Sequence, residues 1–272
     1  MRILSAENYK MRKNRALKTL TVIAAAFAFF VGYAMQYASG AVSSGDVTGP
    51  NVTVTAEAVQ QLSGYVGMRA MFQVAQLYQI IGILCAVFAG IFVVSEFDKG
   101  TIRNALSAGT SRTSWFFGKV YSLAIVTLWL TVVSGVVFTL TVAGFAGWGQ
   151  SQFDNVAGSV IVMFLMTLLQ SLAYSSIFLV IGFVMRSVAG TVGFGIAIIA
   201  LESAVATLLS LLKISFINTI TDNFLANINN KLCSWSGSLF TWDFGKLAIP
   251  AAIVIVVTMA ISYFTFLKKD VK

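Results

Sequence analysis

The sequence predicts an all-α integral membrane protein with six transmembrane helices, on three observations. Hydrophobic residues make up 58% of the 272-residue chain and charged residues only 10%, with a mean hydropathy of +0.86. Soluble domains carry about 25% charge and about 45–50% apolar residues, so this chain has too little polar material to cover a globular surface. Six stretches approach or exceed the roughly 20 apolar residues that a membrane helix needs. Finally, Lys and Arg collect in alternate connections, as the positive-inside rule requires of a chain threaded back and forth.

Residues 1–18, MRILSAENYKMRKNRALK, form a basic segment in which Ile3, Leu4, Met11 and Leu17 share a face. This predicts an interfacial helix, with a plain basic anchor as the alternative. Span 1 is Thr19–Ala38; its apolar run exceeds the 7–15 residues of a signal-peptide core, which favours a retained span. An outer loop, 39–70, holds Pro50 and many Ser, Gly, Thr and Asn residues, and reads as irregular. Span 2 is Met71–Val94, followed by a cytoplasmic loop at 95–115. Span 3 is Phe116–Phe145, then an outer loop at 146–155 and span 4, Val156–Met185. At 1.5 Å per residue, spans 3 and 4 reach about 45 Å, so they tilt or begin outside the bilayer. Span 5, Val188–Leu212, follows a tight turn at Arg186. The outer loop 213–246 is rich in aromatics, Phe216, Phe224, Trp235, Phe240, Trp242 and Phe244. It reads as an interfacial belt or as a lid over an outward exit. Span 6 is Leu247–Leu267, and a short tail, 268–272, ends the chain.

Placing both termini in the cytoplasm puts all but four of the 18 Lys and Arg residues inside. Only Arg69, Lys213, Lys231 and Lys246 fall outside. The net charge of +8 is therefore a topology signal directed at the lipid bilayer, not a nucleic-acid footprint. The expected location is the plasma membrane of a bacterial cell.

Several chemistries are excluded. The chain has no His, which removes Ser-His catalysis and His-ligated zinc. Its two cysteines, Cys85 in an apolar run and Cys233 in a polar one, read as free thiols. No GxxxxGK[ST] is present, since Gly118-Lys119-Val120 lacks both the hydroxyl and the glycine spacing of a phosphate-binding loop. No cofactor or metal site is expected on the chain.

The loop between spans 2 and 3 carries the most information. Asp98 suits the start of a short helix, Gly109 suits its left-handed end, and Ser111 or Thr113 suits the N-cap of span 3. Ile102 and Leu106, four apart, share one face of that helix and Arg103 points elsewhere. A helix of two or three turns is marginal alone and needs something to dock against.

The run Glu96…Gly100-Thr101-Ile102-Arg103-Asn104-Ala105-Leu106-Ser107-Ala108-Gly109-Thr110-Ser111-Arg112…Phe117-Gly118-Lys119 resembles the cytoplasmic loop of type-2 ATP-binding-cassette (ABC) exporter permeases. The shared pattern is a Glu ending span 2, a Gly-Thr-x-Arg stretch, a Leu-Ser/Ala-x-Gly turn, an Arg, and a Lys opening span 3. In length the chain is similar to the compact permeases of bacterial peptide, bacteriocin-immunity and antibiotic exporters. The resemblance implies that the short helix is a coupling helix docking on a separate ABC ATPase subunit, which would hold ATP and Mg. The implied coupling residues are Glu96, Gly100, Thr101, Ile102, Arg103, Leu106, Gly109, Arg112 and Lys119. It also implies two six-span subunits per transporter, a second copy or a different permease.

Pathway candidates come from polar residues within spans, where they are costly and tend to face protein or water. Glu202 is the acid deep in span 5; it contacts a cationic part of the substrate, or packs as a hydrogen-bonded carboxyl. Gln73, Gln76 and Gln79 form a polar patch on the outer half of span 2. Gln170 and Tyr174 belong to a stripe on span 4 with Thr167, Ser171 and Ser175. Each binds substrate or joins helix to helix. Small residues at Gly82, Ala86 and Gly90, and at Ala189, Gly193, Ala197, Ala200 and Ala204, allow close packing within one subunit or between two. Alternatives to an exporter are a membrane-embedded immunity or sensor protein that binds a peptide without transport, and a secondary transporter.

Overall fold

The computed structural model describes residues 2–44, 67–98, 100–102, 107, 109–149, 155–210, 221–235 and 237–268. Among the described residues the regular structure is entirely helical. In order, the helices are α1 (Arg2–Lys13), α2 (Arg15–Ser44), α3 (Gly67–Phe72), α4 (Tyr78–Phe88), α5 (Ser95–Asp98), α6 (Arg112–Ala146), α7 (Val156–Met185), α8 (Val188–Ser210), α9 (Leu225–Ser234), α10 (Trp242–Gly245) and α11 (Ala248–Lys268). A 3₁₀ turn, Val74–Leu77, joins α3 to α4, and a π-helical turn, Ala89–Val94, joins α4 to α5.

Five segments are long and apolar enough to cross a membrane: Arg15–Gly40, Val74–Phe97, Arg112–Ala146, Val156–Met185 and Trp242–Lys268. The sixth stretch expected from the sequence is α8, whose 23 residues include a shorter apolar piece, Val188–Glu202. The segment Val74–Phe97 is the axis of the bundle. Its apolar core is 72% buried, against 11% for Trp242–Lys268 and 22% for Arg15–Gly40. The outer helices therefore present apolar faces outward, with Phe30, Tyr37, Leu140, Leu201 and Val256 all exposed. A membrane protein places such faces against lipid tails.

Small residues set the closest approaches. A Cβ on Gly195 of α8 would lie 2.7 Å from Ala86 Cβ on α4, and one on Gly82 would lie 3.0 Å from Ile199 Cδ1. Gly90 faces Val188 and Val192. The Gly82–Ala86–Gly90 stripe is thus spent within the chain, against α8. Gly193 has open space where a Cβ would stand, and Ala189 and Ala204 are exposed, so the other stripe looks outward.

Local signals explain the helix ends. Asn14 terminates α1, and its Oδ1 accepts from Ala16 N–H to cap α2. Ser111 Oγ accepts from Ser114 N–H and caps α6, as the sequence suggests. Asn155 does the same for α7 through Gly158 N–H. Arg186 closes α7 in the left-handed conformation at φ 50°.

Two expectations change. The 71–94 stretch is not one uninterrupted helix: it breaks at Gln73, tightens into a 3₁₀ turn and then widens into the π turn. Such irregular backbone is tolerated because it is buried in protein, not lipid. The basic N-terminal segment is also more than a raft on the membrane surface. Met11 is buried against the bundle, and so is Glu7 on the same inner face of α1.

Candidate functional site

The central feature is a buried charge cluster at the end of the bundle where α1, α5 and α6 meet. Lys119, about two turns into α6, is fully buried. Its Nζ donates to Glu96 Oε1 at 2.8 Å and to Glu7 Oε2 at 3.0 Å. Lys10 Nζ bridges the same carboxylates, 3.2 Å from Glu96 Oε1 and 3.3 Å from Glu7 Oε1. Trp115 Nε1 donates to Glu96 Oε2 at 3.1 Å, and Ser122 Oγ approaches Glu7 Oε2 at 3.5 Å. Two cations and two carboxylates leave the cluster formally neutral. That balance is what makes burial of the Lys119 and Glu7 charges tolerable, with Glu96 partly buried and Lys10 exposed at the edge, since an unpaired buried charge costs several kcal/mol.

Aromatic rings complete the enclosure. Lys119 Nζ sits 4.4 Å from the Phe92 ring centroid and 5.4 Å from that of Trp115, both within cation–π range. Trp115 stacks on Phe266 at 5.1 Å, and Phe97, Phe116 and Phe183 pack edge or face around them. The Arg186 guanidinium lies 5.6 Å from the Phe97 ring centroid. Burial lowers the proton affinity of the Lys10 ammonium, but the adjacent Glu96 and Glu7 carboxylates outweigh it, and its pKa stands above the ordinary 10.5.

This cluster is the root of the 95–115 loop. Gly100 N–H donates to Phe97 C=O at 3.1 Å in a turn with φ 64°, and Thr101 Oγ1 donates to Glu96 C=O at 3.3 Å. Gly109 also takes a positive φ, 86°, which a side chain rarely adopts. At the far root, Arg112 Nη1 donates to Leu267 C=O on α11 at 3.2 Å. Thr101, Ser107, Gly109 and Arg112 are exposed. Ile102, one of the implied coupling residues on the face expected to dock on an ATPase, is only 1% exposed and belongs to this chain's own core. Its apolar side chain is better satisfied by the bundle than by waiting in water for a partner. Arg103 and Leu106 lie outside the described residues.

At the other end the span-2 glutamines meet α9. Gln73 Nε2 donates to Cys233 C=O at 3.0 Å, and Gln76 Nε2 donates to Gln73 Oε1 at 3.4 Å. Gln79 donates to Tyr78 Oη at 3.1 Å. They line a cleft of about 620 Å³ with Asn227, Asn229 and Asn230. Gln76 Nε2 and Asn229 Nδ2 each donate to a carbonyl oxygen, which leaves acceptors free: among the described residues, Gln76 Oε1 and Asn229 Oδ1 are buried without a protein partner. Glu202 is tied between elements. Tyr174 Oη donates to its Oε2 at 2.7 Å, and Ala226 N–H in the first turn of α9 donates to its Oε1 at 3.2 Å. A carboxylate there also suits the positive end of the α9 dipole. Gln170 reaches Leu247 C=O at 3.5 Å, while Ser175 pairs with Thr127 and Ser176 with Thr258, each at 2.7 Å. Within the stripe, Ser175 thus joins α7 to α6 and Tyr174 joins it to α8, while beside the stripe Ser176 joins it to α11.

The sequence marks Glu96 and Lys119 but gives no hint of Glu7 and Lys10 as their partners. Both lie in a segment whose composition reads as surface, and only the i, i+4 register of Glu7 with buried Met11 points inward. Both cysteines are free, Cys85 buried and Cys233 half-buried, and burial pushes the Cys233 thiol up to about 12. Among the described residues, no cluster of acidic and Cys side chains could hold a metal ion.

A family described as Protein of unknown function (DUF2705) matches residues 21–272. No curated protein matches the chain.

Proposed function

We infer that this chain, which by that match belongs to the DUF2705 family, is the membrane-spanning permease subunit of an ATP-driven ABC exporter. It crosses the plasma membrane six times with α8 as the fifth span, and the end bearing Lys10, Glu96 and Arg112 faces the cytoplasm. ATP hydrolysis belongs to a separate ATPase subunit, and the cargo is a peptide, antibiotic or other amphipathic compound. The observation that carries this reading is the pairing of Glu96 with Lys119 beneath the 95–115 loop. These two residues bracket the motif that resembles an exporter coupling loop. A loop whose two roots are locked to one another, and to α1 through Glu7, passes a push on to spans 2 and 3 together instead of absorbing it.

Three further features support the same reading. The exposed Gly193 face of α8 suits a second permease, because small residues let helices approach closely in lipid. The cleft beside Gln73, Gln76 and Gln79 offers acceptor groups at the outer end of the central span, where an exported molecule would leave. Glu202, fastened to the first turn of α9, holds that helix over the cleft.

Co-expression with an ATPase encoded beside it tests the proposal. The pair should copurify and hydrolyse ATP, and the chain alone should not. Gly109→Val, which strains a positive-φ turn without meeting a neighbour, should weaken copurification while leaving the permease folded. Hydrolysis by the lone chain, or unaltered coupling in a folded Gly109→Val variant, would overturn it.

A further inference from the structure

We propose that the groove between α1, the start of α2 and α6 binds one anionic phospholipid from the leaflet that meets the basic end of the bundle. The groove encloses about 1140 Å³. One wall is a polar edge of α1, formed by Ser5, Asn8, Tyr9 and Arg12, which recur at helical spacing. The floor is apolar and runs down α6 through Ile125 and Val126 to Trp129. The site is thus amphipathic along its length, polar where headgroups lie and apolar toward the bilayer centre.

Charge decides which lipid fits. The acid of α1, Glu7, is turned away from the groove and neutralised by Lys119 and Lys10. Arg12 has no ion-pair partner among the described residues, and Lys13, Arg15 and Lys18 follow within two turns. The rim is therefore cationic and lacks a competing carboxylate, and a guanidinium engages a phosphate through two parallel hydrogen bonds. The apolar wall is preformed: Trp129 Nε1 donates to Thr21 Oγ1 at 3.1 Å, which fixes the indole as a rigid side against which an acyl chain lies. Half of Trp129 and more than half of Tyr9 remain exposed in the protein alone, at 50% and 62%. A lipid would cover both.

The experiment is native mass spectrometry of the full-length protein in detergent, titrated with phosphatidylglycerol or with phosphatidylcholine of the same acyl chains. One phosphatidylglycerol should bind per chain in preference to phosphatidylcholine. A basic side chain at a membrane surface accounts for about a fivefold preference, and Arg12→Gln should remove about that factor. Ile125→Trp fills the floor without touching charge and should reduce binding of both lipids. Retained Cys85 burial in each variant, read by alkylation, separates loss of the site from loss of the fold. Equal binding of the two lipids, or preference unchanged in Arg12→Gln, would overturn the proposal. So would displacement of the lipid by glycerol phosphate alone, which would make the site one for a soluble phosphate.

Discussion

Replacing Lys119 with Met removes a charge while keeping an unbranched apolar side chain on the Phe92 and Trp115 rings. Two carboxylates, Glu7 with 5% and Glu96 with 17% of its side chain exposed, then face each other with only Lys10 between them. Removing one partner from a buried ion pair costs about 3–5 kcal/mol. Lys10 still bridges both acids, but its side chain is 50% exposed and therefore screened, which places the expected loss near the lower end. About 3 kcal/mol is roughly a 150-fold change in the folding equilibrium, a large share of the 5–15 kcal/mol that holds a typical domain together. The assay is thermal or denaturant unfolding of the purified protein, followed by alkylation of Cys85, which is fully buried until the bundle opens. A second substitution sharpens the test. In Lys119→Met/Glu7→Gln the charges balance again, because Lys10 and the Trp115 N–H still satisfy Glu96. The double variant should be more stable than Lys119→Met alone, a non-additivity expected of residues in one network. If the two losses simply add, the cluster is not held together by its charge balance and the reasoning fails.

Ile102→Asp should destabilise the isolated permease and lower its yield, since it puts a charge into the core, whereas Thr101→Asp on the exposed side should leave yield unchanged; equal yields would return Ile102 to the surface. Glu202→Ala should release the first turn of α9 and raise the alkylation rate of Cys233 severalfold with Cys85 still protected, and an unchanged rate would show that Glu202 does not hold the helix. In the intact protein, Cys233 alkylation should stay slow from pH 7 to 10 and rise only toward about pH 12, because burial raises the pKa from its usual 9.0 and the reactive thiolate is scarce below it. A rise centred near pH 9 would show that the thiol is not shielded from water as placed. Lys10→Gln should cost far less than Lys119→Met. The Lys10 pKa is raised, so its contribution is complete below pH 10.5 and is lost only as the pH climbs through the higher native value; a stability loss between pH 6 and 9 that disappears in Lys10→Gln would contradict this.

Helix type and most helix ends are legible in the sequence because they rest on local chemistry. The apolar run of α7 begins after Asn155 and ends at Arg186, and Ser111 announces α6 through its side chain. The interior of the central span is not legible. No proline marks the break at Gln73, and the π turn is imposed by packing against α7 and α8, which no window of residues contains. The charge cluster is half legible. Glu96 and Lys119 lie at the ends of apolar runs and stand out, but Glu7 and Lys10 sit among other charges, and only the folding of α1 onto α6 selects them. Ile102 misleads for the opposite reason: an apolar side chain in a polar loop looks like a partner's contact until the bundle provides a place for it.

The π turn at Ala89–Val94 gives the central span one residue more than a regular helix would place there, immediately before Glu96. Annealing that turn into α-helix would screw everything beyond it by about 100° and advance it about 1.5 Å along the axis. Glu96 would then swing off Lys119 while α4 stayed in place. The wide turn thus stores a discrete rotation, a single click rather than a continuous bend, at the point where the loop is rooted to the bundle.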